Sequence, residues 1–164
     1  MGLAAAAVVP LTAAQASPAV DRRQDNESRI VMFPGNGKRL DVEGGSQADE
    51  TPIVQYTCGD GADQRFTVNV VRGDEIEIRT FAGKCVEVKD RIREEGTPMV
   101  QSTCFGAYNQ RLRLVSVPGG GYEIHTDDDR KCLNVKDRSR ADGAPIVQYT
   151  CHRGPDQQFG FEPV

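Results

Sequence analysis

The chain has 164 residues and a formal net charge of -4, with 20 Lys and Arg against 24 Asp and Glu. Its length suits one domain or at most two small ones. The pI near 5.2 and the interleaved charges offer no basic face for nucleic acid. No apolar run is long enough to cross a bilayer. We therefore expect neither nucleic-acid binding nor membrane insertion.

The first 16 residues are typical of the end of a secretory signal. They contain an apolar run from Leu3 to Leu11 and finish in the small-x-small pattern Ala-Gln-Ala that signal peptidases cleave. A disordered Ala-rich tail is the alternative. The polar residues 17–27 predict a flexible leader, and residues 28–164 form the predicted domain. Five cysteines in an exported chain indicate disulfides with one thiol left over.

Short β-rich segments then follow along the chain, separated by clusters of Gly, Asp, Ser and Pro. No segment has the apolar spacing of three and four residues that a helix requires. Alternating segments such as Glu75–Phe81 indicate half-buried strands. The strands predicted before it are Arg29–Phe33, Leu40–Glu43, Ile53–Thr57 and Gln64–Val70, and Tyr122–Thr126 opens a later group.

One block of sequence occurs three times, beginning at Lys38, Lys84 and Lys131 at intervals of 46 and 47 residues. Over Gly37–Phe66 the first and third copies are identical at 17 of 30 positions without a gap. Such a period predicts three copies of one supersecondary unit. Three propeller blades are too few to close a ring. The sequence therefore predicts an all-β fold, a β-trefoil of three four-stranded repeats with pseudo-threefold symmetry. The predicted repeats cover about residues 28–72, 73–118 and 119–164.

The repeated motifs resemble those of a known family. The third copy contains Lys-Cys-Leu-Asn-Val, Pro-Ile-Val-Gln-Tyr-Thr-Cys and Asp-Gln-Gln-Phe, and the other copies vary these motifs. The set resembles the ricin-type β-trefoil lectin domain, and is similar to family thirteen carbohydrate-binding modules, over about residues 28–164. The closing motif departs from the family, with Phe66, Leu112 and Phe159 where Trp is usual. Because these residues stay apolar, we expect a repacked core with the same topology.

The resemblance implies a disulfide within a repeat, joining its second and third strands. The first repeat has Arg39 at one of the two positions, which leaves Cys58 single, either as a tolerated thiol or as the donor of an intermolecular disulfide. No C-x-x-C pattern or His cluster indicates a metal site. The implied pairs are Cys85–Cys104 and Cys132–Cys151.

The resemblance also implies a shallow sugar pocket on each repeat. In such a pocket a carboxylate bonds sugar hydroxyls, an aromatic ring covers the C–H face, and a polar pair adds donors and acceptors. By motif position the first repeat supplies Asp41, Tyr56, Asp63 and Gln64. The third repeat supplies Asn134, Tyr149, His152, Asp156 and Gln157. The second repeat supplies Glu87, Ser102, Asn109 and Gln110.

These differences predict how strongly the three pockets bind sugar relative to one another. The first pocket should bind best, and the third next because an amide replaces its carboxylate. The second lacks the aromatic ring and is expected to be structural. The motif glutamine recurs in all three copies, so it is a candidate for supporting the backbone as well as for contacting sugar.

The function implied by the resemblance is a secreted carbohydrate-binding module for glycans, with galactose-type or xylan-like sugars as ligands. No catalytic or phosphate-binding motif is recognisable, and we expect no enzyme activity, cofactor or metal. The alternatives are a non-lectin interaction protein, such as a trefoil protease inhibitor, and a trefoil whose sugar sites have decayed. The paired Asp and Tyr favour the lectin, because an inhibitor would rely on one exposed loop.

Overall fold

The computed structural model describes residues 27–127 and 130–164. The predicted signal and nearly all of the predicted leader lie outside the described residues, and Glu27 already belongs to the first strand. No helix in the described part has the length and apolar character that a membrane span needs.

The described residues contain twelve strands, six short 3₁₀ turns and no α-helix, so the all-β prediction is confirmed. The strands are β1 (Glu27–Met32), β2 (Lys38–Val42), β3 (Thr51–Thr57), β4 (Phe66–Arg72), β5 (Glu75–Thr80), β6 (Cys85–Val88), β7 (Met99–Ser102), β8 (Leu112–Ser116), β9 (Tyr122–His125), β10 (Lys131–Val135), β11 (Ala144–Thr150) and β12 (Phe159–Pro163).

The start of β4 differs from the prediction. Gln64 was expected within the strand, but Ala62–Gln64 forms a 3₁₀ turn and β4 begins at Phe66. The turn directs the Gln64 side chain inward, where it is 3% exposed and bonds two backbone groups. Side-chain bonds of this kind compete with strand pairing, which explains the shorter strand.

Six strands form a closed barrel. β1 pairs with β4 and β12, β5 pairs with β4 and β8, and β9 pairs with β8 and β12, all antiparallel. A closed ring leaves no strand edge open to other chains. Residues of each barrel strand alternate between the inside and the outside of the barrel. In β5, Ile76 and Ile78 are buried, while Glu75 and Glu77, which alternate with them, are half-buried.

The other six strands form the hairpins β2–β3, β6–β7 and β10–β11. The hairpins also contact one another, because β3 pairs with both β7 and β11 and a bridge joins Pro98 to Val147. Barrel and hairpins enclose one apolar core. The three residues of the closing motif, Phe66, Leu112 and Phe159, are at most 1% exposed. Burying each of them stabilises the fold by about 1.5–3 kcal/mol.

Three fully buried glutamines tie each block of sequence to the block before it. Each lies in the third strand of its block, and its side-chain amide donates to two backbone carbonyls of a neighbouring loop. Gln101 donates to Ser46 and Ala48, Gln148 to Ile92 and Glu94, and Gln55 to Ser139 and Ala141. The contacts form a closed circle. The glutamine of the second block binds the first block, that of the third block binds the second, and that of the first block binds the third. The sequence analysis did not assign this role, although these glutamines recur in all three copies.

The disulfide pairing implied by the resemblance is confirmed for Cys85–Cys104 and Cys132–Cys151. Cys58 is free and exposed. In the first block Arg39 joins the same two strands without a covalent bond, because its guanidinium donates to the Gly59 carbonyl at 2.9 Å. The same guanidinium pairs with Glu162 at 3.1 Å.

Candidate functional site

Each sequence block has a surface cleft beside its hairpin, and the last 3₁₀ turn of the block also lines this cleft in the first and third blocks. The cleft of the first block has a volume of about 520 Å³, that of the third about 460 Å³ and that of the second about 340 Å³. We call them the first, third and second clefts after their blocks. All three lie within the range of small-ligand sites, roughly 300–1,000 Å³.

The first cleft has a carboxylate at its floor and a ring at its side. Asp41 on β2 is 5% exposed, and its Oδ2 accepts a hydrogen bond from Gln64 Nε2 at 3.0 Å. Val54 lies opposite Asp41 on β3, and Tyr56 follows two residues later on the same face, 47% exposed. The structure therefore brings together the predicted carboxylate, ring and glutamine, and the ring is open to a ligand.

Burial raises the pKa of the Asp41 carboxyl above the usual range of an aspartate. The hydrogen bond from Gln64 opposes this effect, and the charges of Asp63 and Asp142 add to it. The sequence placed Asp41 at the pocket on motif position alone. Its burial and its acidic neighbours are set by the tertiary structure.

The motif glutamines have one role in common. Gln64 accepts the Gly59 N–H at 2.8 Å and donates to the Thr57 carbonyl at 3.0 Å, which fixes the turn after the strand. Gln110 and Gln157 make the corresponding bonds in their blocks. The structural role is therefore shown for all three. A direct sugar contact by Gln157, which is fully buried, stays a prediction.

A glycine makes room for the turn carboxylate in two of the clefts. A Cβ placed on Gly61 would lie 2.1 Å from Asp63 Oδ1, and one placed on Gly154 would lie 2.6 Å from Asp156 Oδ1. The carboxylates can thus fold against the backbone and face the cleft. The second block has Ala107 at this position, together with a buried amide in place of the carboxylate.

The third cleft replaces the floor carboxylate with an amide. Asn134 is 5% exposed, and its Nδ2 donates to the Val135 carbonyl at 2.7 Å. Its buried Oδ1 has no hydrogen-bond partner among the described residues. Tyr149 lies at the side of this cleft, 42% exposed. An acceptor and a ring are again brought together, but the acceptor is uncharged.

His152 and Asp156 form the far wall of the third cleft. His152 Nδ1 accepts the Gly154 N–H at 3.0 Å, and its Nε2 lies 3.5 Å from Asp156 Oδ2. The His152 ring meets Tyr149 edge to face, with centroids 6.3 Å apart. Because the first of these bonds uses Nδ1 as an acceptor, the neutral ring directs its N–H toward Asp156.

The charges that line the two clefts differ. The first cleft is lined by Asp41, Glu43 and Asp63, with no basic residue among its lining residues. The third cleft is lined by two basic residues, Lys136 and Arg138, as well as by His152, Asp137 and Asp156. The sequence analysis missed the basic pair, because these residues lie in a turn outside the motifs.

The second cleft has Ser102 at the motif position of the aromatic ring, but another aromatic residue lines it. Glu87 is 5% exposed and bound to Gln110 at 2.7 Å. Phe105 lines the cleft and is 59% exposed, and the guanidinium of Arg91 lies 5.5 Å from the ring centroids of Phe105 and Tyr108. The sequence motifs did not predict this aromatic cluster, because Arg91, Phe105 and Tyr108 lie outside the motif positions.

Each cleft is completed by a residue of the preceding block. Gly143 lines the first cleft and Gly96 the third, whereas Glu50 has this position in the second. Glu50 has a φ of 64°, in the left-handed region that suits glycine, and its carboxylate accepts a hydrogen bond from Ser102. The Glu50 side chain thus narrows the second cleft.

One further group of polar residues lies outside the clefts. Glu123 and His125 lie near the sulfur atoms of Cys132 and Cys151, with His125 Nε2 3.0 Å from Glu123. The two sulfurs form a disulfide, and the metal-ligating form of cysteine is the thiolate. The disulfide therefore keeps these sulfurs from acting as metal ligands.

The sequence profile of the family described as "Ricin-type beta-trefoil lectin domain" matches residues 27–159. No curated protein sequence matches the chain. Among solved structures, a designed 3-fold symmetric protein, ThreeFoil, has a TM-score of 0.79 and 28% identity, and the match covers 84% of this chain and 98% of that one.

Two natural proteins have similar structures. An exo-beta-1,3-galactanase from Clostridium thermocellum has a TM-score of 0.79 and 29% identity, with 85% of this chain and 30% of that chain covered. The Macrolepiota procera ricin B-like lectin, solved in complex with lactose, has a TM-score of 0.71 and 16% identity, with 84% and 95% covered. The last likeness shows the fold alone.

Proposed function

The chain belongs to the ricin-type β-trefoil lectin domain family, and we propose that it is a non-catalytic carbohydrate-binding module with working sites in its first and third clefts. The observation that carries the proposal is the pairing, in both clefts, of a buried oxygen acceptor with an exposed tyrosine. The pairs are Asp41 with Tyr56, and Asn134 with Tyr149.

This pairing suits the two surfaces of a sugar. A pyranose presents hydroxyl groups at its edge and C–H bonds on its face. A tyrosine ring covers the C–H face, and a carboxylate or amide oxygen accepts from the hydroxyls. Asp41 Oδ2 is held by Gln64, so a ligand can use the other oxygen. The charged acceptor makes the stronger bonds, which ranks the first cleft above the third.

The ligands we propose are galactose-containing or xylan-like glycans. The galactanase that shares 29% identity acts on galactan, as its name states, which supports the first class. His152 at the third cleft supports the second class by the family resemblance described above. The chain spans only 30% of the galactanase, so the activity of that protein is not transferred.

We also propose that the three sequence blocks are structural repeats related by a pseudo-threefold axis. The circle of buried Gln55, Gln101 and Gln148 and the equivalent bonds of the motif glutamines support this symmetry. The 28% identity with a designed 3-fold symmetric protein also supports it. A crystal structure in which the three blocks superpose on one another tests it.

Export from the cell is proposed on two grounds. The chain has two disulfides, which persist in oxidising compartments, and its first 16 residues have the pattern of a secretory signal. Fractionation of the producing cells, with N-terminal sequencing of the recovered protein, should find a chain in the culture medium that begins at Ser17. An intracellular protein that retains Met1 would contradict export.

A glycan array probed with the purified chain tests the central proposal. Binding to a galactose- or xylose-containing glycan should be lost when Asp41→Ala and Asn134→Ala are combined. Glu87→Ala is the matched control at the corresponding position of the second block, and binding should be retained. On an immobilised polysaccharide the loss should exceed the sum of the single losses, because two clefts on one chain raise the effective concentration. Absence of any glycan signal would refute the proposal.

The second cleft supports a different candidate function, contact with a protein. Phe105 and Tyr108 are 59% and 52% exposed, with Arg91 above both rings. Tyr and Arg are enriched at protein interfaces. A protein partner that is isolated by its binding to the immobilised chain should then bind Phe105→Ala more weakly, while glycan binding should not change. An effect on glycan binding would instead assign the cluster to sugar recognition.

A further inference from the structure

A larger cavity adjoins the third cleft. It has a volume of about 560 Å³ and lies between the β1–β2 turn and the last block. Arg138 and Asp156 line both the cavity and the third cleft, so the two spaces adjoin at these side chains, where Arg138 Nε lies 3.7 Å from Asp156 Oδ1. A ligand on Tyr149 therefore has room to extend past Arg138 into the cavity.

The cavity contains acceptors that need donors. Gln55 is fully buried, and its Nε2 is used by backbone carbonyls while its Oε1 has no hydrogen-bond partner among the described residues. Asp156 Oδ1 is also buried without a hydrogen bond. A buried acceptor without a partner is costly. Both residues line the cavity, so its wall is polar.

The cavity also has positive charge that the described residues do not neutralise. Arg140 lines it, is exposed, and has no ion pair or hydrogen bond in the part of the chain that the structure describes. Arg138 shares the single carboxylate of Asp156 with His152, at distances of 3.7 and 3.5 Å. Two guanidinium groups thus line a cavity whose lining includes a single carboxylate, that of Asp156, which is already shared.

The corresponding arginines of the second block are differently placed. Arg91, 47 residues before Arg138, lies over two aromatic rings. Arg93, 47 residues before Arg140, lies 3.7 Å from a carboxylate oxygen of Asp127. The first block has Gly45 and Gln47 at these positions. Of these four arginines, Arg140 is therefore the one with neither an ion pair nor an aromatic ring beside it among the described residues.

We propose, resting on the function proposed above, that the third cleft and the adjoining cavity together bind a glycan that contains a uronic acid. A sugar ring lies on Tyr149, and the uronate carboxylate binds between Arg138 and Arg140, which both line the cavity. A planar guanidinium bonds both oxygens of a carboxylate, which a neutral sugar cannot offer. The first cleft, lined by carboxylates, repels the same group and takes neutral sugar.

The test uses oligosaccharide pairs that differ in charge. The first pair is trigalacturonate and its methyl ester, and the second is xylotriose with and without a glucuronic acid side group. Titration calorimetry on the full chain should show that the charged member of at least one pair binds about tenfold more tightly or better. The preference should shrink as ionic strength rises, because salt screens the exposed guanidinium groups.

Paired variants assign the preference to its residues. Arg138→Gln combined with Arg140→Gln should abolish the preference for the charged member. Arg91→Gln combined with Arg93→Gln removes the same charge from the corresponding positions and should leave the preference intact. Thermal melts of both double variants check that each is folded.

The outcomes separate this inference from the function proposed above. Equal binding of charged and neutral members in both pairs, or equal loss of the preference in the two double variants, would overturn the uronate site while sugar binding stands. Tighter binding of a sulfated galacto-oligosaccharide than of either uronate would overturn the choice of carboxylate. Failure of every one of these oligosaccharides to bind would overturn the uronate site, and the function itself would be overturned only if the glycan array also gave no signal.

Discussion

The first and third clefts are built on similar sequences but differ in the charge of their lining residues. Their blocks are identical at 17 of 30 positions, and both place an exposed tyrosine beside a buried acceptor. The first cleft has Asp41 at its floor, where the third has Asn134. The third has Arg138 at its rim, where the first has Gly45. The residues that the two blocks share determine the shape of the cleft, and the residues that differ determine which ligand charge it favours.

The blocks also differ in how their second and third strands are joined. The third block uses the disulfide Cys132–Cys151, and the first uses the hydrogen bond from Arg39 to the Gly59 carbonyl. The clefts have similar volumes in both cases. A covalent bond between these strands is therefore not required to form the cleft, and its contribution is to stability.

The largest expected effect is the loss of stability on removing the disulfide of the third block. Replacing Cys132 and Cys151 together by Ala should lower the free energy of unfolding by about 3 kcal/mol, because the unfolded chain loses the constraint of a loop of about twenty residues. Cys58→Ala is the control and should change stability little, since this thiol is free and exposed. Urea denaturation followed by far-ultraviolet circular dichroism measures both. A small effect in the double variant would indicate that the hairpin pairing alone holds the block together.

The next effect concerns the floor of the clefts. Asp41→Ala should weaken monovalent sugar binding at the first cleft by about 1.5–3 kcal/mol, the usual loss for a hydrogen bond to a charged group. Asn134→Ala should weaken binding less, because a neutral amide is the poorer acceptor. Calorimetry with a single sugar compares the two variants. Equal losses would contradict the ranking of the clefts, and an unchanged affinity in Asp41→Ala would remove the first cleft from the proposal.

The pH dependence should separate the clefts further. Burial raises the pKa of Asp41, so its carboxylate is protonated at a higher pH than that of an ordinary aspartate. Binding at the first cleft should therefore fall as the pH is lowered through this raised pKa, and Asp41→Asn should remove that part of the dependence. Calorimetry from pH 7 downward measures the change. An identical pH profile in the variant would show that another group is responsible.

The same shift has a consequence for stability. Because the folded state binds the Asp41 proton more tightly than the unfolded state, the contribution of this group to stability is complete below the unfolded pKa and is lost as pH rises through the folded pKa. The folded state is therefore less stable with the ionised carboxyl than with the protonated one. Asp41→Asn should therefore not lower the free energy of unfolding at pH 7, and a large loss in urea denaturation would contradict the sign of the shift.

The smallest expected effect concerns the glycine beside the turn carboxylate. The added Cβ of Gly61→Ala would meet Asp63 Oδ1 and displace that side chain, which should weaken binding at the first cleft by about 1 kcal/mol, the typical value of one hydrogen bond. Gly59→Ala is the control, because its Cβ would meet nothing closer than 3.9 Å. Calorimetry on the two variants measures the difference, and equal affinities would exclude Asp63 from the sugar site.

The sequence by itself determined the all-β class, the family and the disulfide pairs. Repetition records the strand pattern directly, because each strand position recurs about every 46 or 47 residues, and the resemblance of the repeated motifs to a known family implied the disulfide pairs. Motif position also sufficed to bring Asp41 and Tyr56 to one cleft, since their strands form a local hairpin. Features that depend on the pairing of strands within one hairpin could be predicted.

The tertiary structure alone decided what depends on contacts between blocks and between turns of one block. Gln55 contacts residues more than 80 positions away and thereby helps to form the cavity next to the third cleft. Arg91 and Arg138 have equivalent sequence positions, but one lies on aromatic rings and the other faces a shared carboxylate. Burial and charge at a site are sums over all neighbouring groups, and most of these groups are distant in sequence. The motif therefore locates each cleft, and the packed fold sets which ligand it can bind.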